Sequence, residues 1–95
     1  MNPKQIPIAL FRLGRIVATR NALARLSQTD IANAIRRHQA GDWGNVDEYD
    51  RKENEFSLKE GLRLLSVYHA ENGTKFWIIT EADRSSTTIL LPEDY

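Results

Sequence analysis

The chain has 95 residues, the length of one domain, and 41% of them are hydrophobic and 27% charged, as is typical of a water-soluble globular protein. The absence of cysteine excludes a disulfide framework, a thiolate metal site and a cysteine nucleophile. No stretch approaches the roughly 20 apolar residues of a membrane-spanning helix, and arginines interrupt the N-terminal apolar run where a signal peptide would be uniform. We therefore expect a single cytoplasmic domain over residues 1–95 with no membrane contact.

Charge is distributed unevenly, although the formal net charge is zero. Residues 1–40 contain seven Lys or Arg and one acid, Asp30, whereas residues 41–95 contain six bases and twelve acids. This asymmetry indicates either a basic surface that binds a partner or two halves that neutralise each other in the fold. The zero total favours the second interpretation, because nucleic-acid-binding domains usually carry a net positive charge.

The N-terminal half begins with a predicted arm, a strand and a short helix. Residues 1–8 contain two prolines and no periodic pattern, and we expect them to form a flexible arm. Residues 15–19 are compatible with a short strand. Thr19 or Asn21 is suited to cap a short helix that extends through Leu26.

A second helix is predicted between Ser27 and Gly41. Ser27 followed by Asp30 resembles a capping box, and Gly41 offers the left-handed conformation that commonly ends a helix. The sequence GDWG at residues 41–44 then indicates a tight turn.

The C-terminal half predicts one helix followed by an antiparallel meander. Asn45 with Glu48 repeats the capping pattern and predicts a helix over roughly residues 46–60. Asn72-Gly73 is a strong hairpin signal, and it lies between two apolar segments. A third apolar segment follows, so the predicted strands cover residues 62–70, 75–80 and 87–91.

These elements predict an α+β fold, with two or three helices packed on one face of a three- to four-stranded antiparallel sheet that ends in the β-meander. Helices first and a meander after is also the order in RelE/ParE-type ribonuclease toxins, which is an analogy of fold alone. Those toxins are usually strongly basic, whereas this chain is neutral.

The two tryptophans are predicted to have different environments. Trp77 lies in the apolar segment KFWIIT and is expected in the core of a central strand, whereas Trp43 lies between two glycines and is expected to be partly exposed. An exposed tryptophan is a suitable binding anchor, and binding groups favour loops on a rigid scaffold. The predicted binding surface therefore comprises Asp42, Trp43, Glu81, Asp83 and Arg84. In the other interpretation, Trp43 folds inward and Asp83 only braces a turn.

Residue types also suggest candidates for phosphate contacts and for a general base, and they bear on a metal site. Arg36, Arg37 and His38 lie together at the end of the second predicted helix, where they are candidates for phosphate contacts. Candidates for a general base are His38, His69, Glu81 and Asp83. Two histidines without cysteine are too few for a typical metal site, so we expect no metal and no cofactor.

Several segments resemble a family of short bacterial proteins that are labelled hypothetical or plasmid-related. The likeness runs from about Leu13 to Tyr95, and it is carried by GDWG at 41–44, Asp47, Asp50, Asn54 and the block WIITEADRSSTTILLPEDY at 77–95. Family members often have IVATPGAL where this chain has IVATRNAL. The resemblance implies a setting, on plasmids and integrated mobile elements in the bacterial cytoplasm, but no activity.

From these observations we expect an accessory protein of mobile elements that binds a protein partner without catalysis. The alternatives are a small toxin-like ribonuclease and a weak nucleic-acid-binding module.

Overall fold

A computed structural model describes residues 8–95, and its elements confirm the predicted α+β class. Of the predicted arm, all residues but Ile8 lie outside the described part. The elements are, in chain order, β1 (Arg15–Ala18), α1 (Arg20–Arg25), α2 (Gln28–Gln39), α3 (Glu48–Glu60), β2 (Leu64–His69), β3 (Lys75–Thr80), β4 (Ser86–Leu90) and a 3-10 turn (Pro92–Asp94).

The four strands form one mixed sheet in the order β1-β4-β3-β2. Strand β3 pairs antiparallel with β2 and with β4, so the predicted meander is confirmed. Strand β1, however, runs parallel to β4, with Ile16 opposite Thr87, and the prediction of a wholly antiparallel sheet is wrong. The reason is the connection, since three helices separate β1 from the meander and return the chain to the sheet in the parallel sense.

Side chains at the predicted positions cap the first two helices. The hydroxyl of Thr19 accepts a hydrogen bond from the backbone of α1, and that of Ser27 accepts one from the backbone of α2. The cap of α3 is Asp47 and not the predicted Asn45, because the backbone N–H of Asn45 donates to the carbonyl of Val67 in β2 at 2.7 Å. This contact holds Asn45 against the sheet, so α3 begins after it.

The hydrophobic core lies between one face of the sheet and helices α1 and α2. Alternate residues of β2, β3 and β4 supply the sheet side, and Ala22, Leu26 and Ala34 supply the helix side. Helix α3 differs, because it lies beside β2 and its buried residues are the polar Asn54 and Ser57. The predicted packing on one face therefore applies to α1 and α2.

Polar groups from the α3 side close the outer edge of β2. The side-chain amide of Asn54 accepts from the N–H of Leu65 at 3.0 Å and donates to its carbonyl at 2.7 Å. Two residues further on, both backbone groups of Val67 are also hydrogen-bonded. Its N–H donates to the carbonyl of Trp43, and its carbonyl accepts from the N–H of Asn45. This edge therefore has no free backbone groups at Leu65 and Val67 for another strand.

We expect Asn54→Ala to destabilise the fold by about 2 kcal/mol, because it leaves two backbone groups of Leu65 without partners. Denaturant unfolding measures the change. The matched control is Glu53→Ala, the exposed neighbour on the same helix. Equal unfolding free energies for the two variants would show that Asn54 does not support the sheet edge.

Candidate functional site

Trp43, the predicted exposed anchor, is buried and only 3% exposed. Its indole N–H donates to Glu55 at 2.9 Å, and its ring stacks on Phe11. The turn brings Gly44 so close to β2 that a Cβ there would lie 2.0 Å from the carbonyl oxygen of Val67. This contact carries the preceding tryptophan inward, so the expected partial exposure of Trp43 is wrong.

Arg84 in the β3–β4 loop binds backbone carbonyls instead of facing solvent. Its guanidinium donates to the carbonyls of Leu62 and Ser57 at 2.6 and 3.2 Å, and to two carbonyls of its own loop. The loop is thereby tied to the end of α3. A positive φ of 61° at Arg84 shows that the backbone accepts strain to place this side chain.

The two carboxylates of the predicted loop site are not joined to Asp42 and Trp43 in a single cleft. Asp83 accepts hydrogen bonds from Ser85, which lower the pKa of its carboxyl, and Glu81 forms an ion pair with Arg63 at 3.5 Å. Phe11 contacts both predicted parts, because the Arg84 guanidinium lies over its ring and Trp43 stacks on it.

His38 is completely buried at the centre of a chain of polar side chains. Its Nδ1 lies 2.6 Å from the Ser66 hydroxyl in β2, and its Nε2 lies 2.9 Å from the Thr80 hydroxyl in β3. Thr80 continues the chain to Thr87 in β4 at 2.7 Å, and Thr87 donates to the carbonyl of Leu13.

The hydrogen bond from Thr87 to the carbonyl of Leu13 fixes the direction of every other hydrogen bond in this chain of side chains. A carbonyl only accepts, so the hydroxyl proton of Thr87 points to Leu13. Thr80 must then donate to Thr87, and the ring of His38 must donate to Thr80 from Nε2. The other ring nitrogen, Nδ1, accepts from Ser66. This arrangement satisfies every polar group when the imidazole is neutral.

The environment also opposes protonation of His38. Burial, and to a lesser extent the positive charge of Arg84, lowers the pKa of His38 from 6.5 to about 3. The predicted phosphate contact of His38 is therefore wrong, because the ring is neutral and out of reach of a ligand. The same burial keeps the close Ser66–His38 pair away from any substrate, so the pair is part of the core and not a nucleophile with its base.

Arg36 and Arg37 do line an open groove, which has a volume of about 540 Å³ and lies between α2 and the end of β2. Asp42 borders the same groove, so the fold unites residues that the sequence assigned to two sites. Arg37 donates to Asp42 at 2.7 Å and lies over the ring of Tyr68. The hydrogen bond from Arg37 lowers the pKa of the Asp42 carboxyl. A phosphate would have to displace this carboxylate from Arg37.

The second face of the sheet is a surface that the sequence did not reveal. We call it the open face and define it by the side chains that point away from α1 and α2, those of Val17, Leu65, Val67, Trp77, Ile79, Thr88 and Leu90. Ile79 and Leu90 are buried within this face, Val17 at its edge is exposed, and the others are partly buried. Tyr95 packs edge-on against Trp77 with ring centroids 5.7 Å apart, and its hydroxyl accepts from Arg63. Beyond Leu65, a depression of about 320 Å³ continues the surface to Tyr49 on α3.

Trp77 lies in the predicted central strand, but its side chain is on the open face and is only partly buried. Its core placement is therefore wrong, and the environments expected for Trp43 and Trp77 are reversed. The indole N–H of Trp77 is buried and has no hydrogen-bond partner among residues 8–95. Apolar residues on both faces of KFWIIT correctly predicted a central strand, but this pattern cannot tell which face the helices cover.

Membrane spans, metal ligands and similarity to known proteins were the remaining possible indications of function. No helix within residues 8–95 has the length and apolar character to cross a membrane, and in that range no three His, Asp or Glu side chains cluster as metal ligands would. No protein-family model, curated protein or solved structure matches the chain. The family resemblance of the sequence therefore stays a prediction.

We expect Arg84→Ala to lower the unfolding free energy by about 2 kcal/mol, because it removes charge-assisted hydrogen bonds to several carbonyls at once. Arg84→Lys should recover only part of the loss, since an ammonium lacks the planar fork of donors. The control is Arg36→Ala, which removes an exposed arginine from α2. An Arg84→Ala protein as stable as this control would return Arg84 to the set of free binding residues.

The low pKa of His38 predicts a stability that falls with acidification. In the unfolded chain the ring binds a proton below about pH 6.5, whereas in the fold it stays neutral down to about pH 3. Between these values the unfolded state holds the extra proton, so the unfolding free energy decreases as the pH falls. From this side chain alone we expect a loss of about 2 kcal/mol between pH 7.5 and pH 5.

Urea unfolding at a series of pH values in this range measures the effect, and it avoids the region below pH 5 where carboxylates titrate. His38→Gln should flatten the dependence, and His69→Gln, which changes the exposed histidine, should retain it. A slope that survives in His38→Gln would mean that another group binds the proton.

Proposed function

We propose that this domain binds another protein without catalysis and that the open face is its contact surface. The observation that carries the proposal is the position of Trp77, a large aromatic residue that sits partly exposed on a sheet face opposite the helical core. Soluble domains normally cover such a face or use it, because an apolar patch in water favours association.

The composition of this surface is that of a protein interface. Trp, Tyr and Arg dominate the residues that contribute most to protein binding, and here Tyr95 contacts both Trp77 and Arg63. Aliphatic side chains lie on the same face, among them Leu65 and Val67 on the neighbouring strand β2 and the exposed Val17 two strands away on β1. The indole N–H of Trp77, which has no partner within the described residues, also marks a face that is not completed as a core.

Protein is favoured over nucleic acid by the charges near the aromatic pair. Arg63 is compensated by Glu81, with 3.5 Å between the charged atoms, and the chain as a whole carries no net charge. Single-stranded nucleic acids bind where aromatic rings stack within a positively charged groove. The open face instead offers aliphatic residues around its aromatics. The family resemblance supports a bacterial partner, encoded by the host or by a mobile element.

A photo-crosslinking amino acid at position 95 tests the proposal in bacterial cells that express the chain. Tyr95 is 72% exposed, so its replacement should leave the fold intact. We expect a covalent adduct with a protein, and we expect Trp77→Ala to weaken its formation by about thirtyfold, in keeping with an aromatic anchor that contributes about 2 kcal/mol. Circular dichroism verifies that each variant is folded.

The matched control carries the crosslinker in place of Leu23, an exposed apolar residue of α1. Adducts at position 95 that nuclease removes would favour the nucleic-acid alternative, and adducts of twice the mass of the chain would indicate self-association. Either result, or equal adducts at positions 23 and 95, would contradict the proposal.

A further inference from the structure

Strand β1 forms an edge of the sheet, and no strand of the described residues pairs with its outer side. The backbone N–H of Arg15 donates to Ser85 and that of Thr19 donates to Ile89, so odd-numbered residues of this segment pair with β4. In a parallel ladder the alternate residues direct their N–H and C=O groups the other way. These are Ile16 and Ala18, and no strand within residues 8–95 pairs with them. The side chain of Ile16 is 48% exposed.

At the opposite edge of the sheet, formed by β2, the outward backbone groups are hydrogen-bonded. On β2, the side chain of Asn54 occupies both backbone groups of Leu65, and backbone groups of residues 43 and 45 occupy those of Val67. Proteins close exposed edges to prevent unwanted strand pairing. Within residues 8–95 the chain closes one edge with side-chain and backbone hydrogen bonds and leaves the other unpaired. This difference points to β1 as the edge at which a strand can be added.

The charge around β1 specifies what kind of strand fits there. Residues 8–29 contain four arginines and no acidic residue, and Arg12, Arg15 and Arg20 are exposed on or beside the strand. The neighbouring carboxylate of Asp94 is engaged by Thr19 and Asn21. Pairing of β1 with β1 of a second copy would bring two such sets of arginines close together, and their charges would repel. An acidic segment would find complementary charge.

We propose that β1 accepts an extended, acidic segment of a partner protein as a fifth strand of the sheet. The main-chain groups of Ile16 and Ala18 supply the hydrogen bonds, and the arginines select carboxylates that flank the apolar part of the segment. The added strand continues the open face beside Val17. The inference rests on the proposed function for the statement that the natural ligand is a protein.

Titration of the isotope-labelled chain with a synthetic peptide tests the site directly by NMR. The probe has a Val-Thr-Val-Thr-Val core with glutamates at both ends. We expect the largest amide shifts at Ile16 and Ala18. A peptide with N-methyl groups on alternate core residues should bind at least about tenfold more weakly, because it loses backbone hydrogen bonds. A peptide with lysines in place of the glutamates should also bind more weakly, and by a smaller factor at high salt.

Variants of the chain provide the reciprocal test. Ile16→Pro removes an outward N–H that β4 does not use, which an edge strand tolerates, and it should weaken the glutamate peptide about tenfold. Ile16→Thr keeps the N–H and is the control, which should bind as the unchanged chain does. The double variant Arg12→Glu and Arg15→Glu, which leaves the backbone groups in place, should reverse the preference between the glutamate and lysine peptides.

The outcomes separate this inference from the proposed function. Shifts confined to the open face or to the groove beside α2, equal binding of the N-methylated peptide, or no shift at millimolar peptide would each overturn the β1 site. Crosslinks at position 95 that depend on Trp77 would still support protein binding in that case. Conversely, peptide binding that Ile16→Pro weakens about tenfold, without any protein adduct in cells, would support the edge site and contradict the proposed function.

Discussion

The hydrogen-bond chain through His38 is the constraint on which the arrangement of this domain depends. It joins α2 to β2 through Ser66 and to β3 and β4 through Thr80 and Thr87. All four side chains are buried, where a polar group without a partner costs about 1–3 kcal/mol. The helix therefore cannot slide on the sheet without leaving donors or acceptors unpaired. Apolar contacts alone would tolerate small shifts, whereas a fully satisfied polar network favours a single register.

The same chain extends to the segment before β1 and so helps to place that strand. Thr87 donates to the carbonyl of Leu13, and the side chain of Gln39 at the end of α2 donates to the carbonyl of Phe11. Gly14 then approaches β4 so closely that a Cβ would lie 2.3 Å from the carbonyl oxygen of Ser85. Its positive φ of 65° suits glycine and turns the chain into β1. The segment is thus held against β4 before the parallel pairing begins.

Helices α1 and α2 cover one face of the sheet and α3 lies beside β2, so no helix of the described residues covers the open face and no described strand pairs with the outer side of β1. These two surfaces meet at Val17, whose side chain belongs to the open face while its strand forms the edge. A strand added to β1 would extend the open face beyond Val17, and β1 and β4 would lie between it and Trp77 on β3. The groove beside α2 offers less for binding an anion, since one of its two arginines, Arg37, is already paired with Asp42.

The sequence by itself determined the features that depend on neighbouring residues. The hydroxyls of Thr19 and Ser27 cap their helices by accepting from backbone N–H groups three residues further on. Asn72-Gly73 forms the turn between β2 and β3. These contacts form within a few positions of the chain. Tertiary structure decided everything that needs a distant partner. It set the direction of β1, carried Trp43 inward while leaving Trp77 on the open face, and made His38 and Arg84 structural. His38 and Thr80 are 42 positions apart, and no local pattern records which distant hydroxyl or carbonyl will face a side chain once the helices pack.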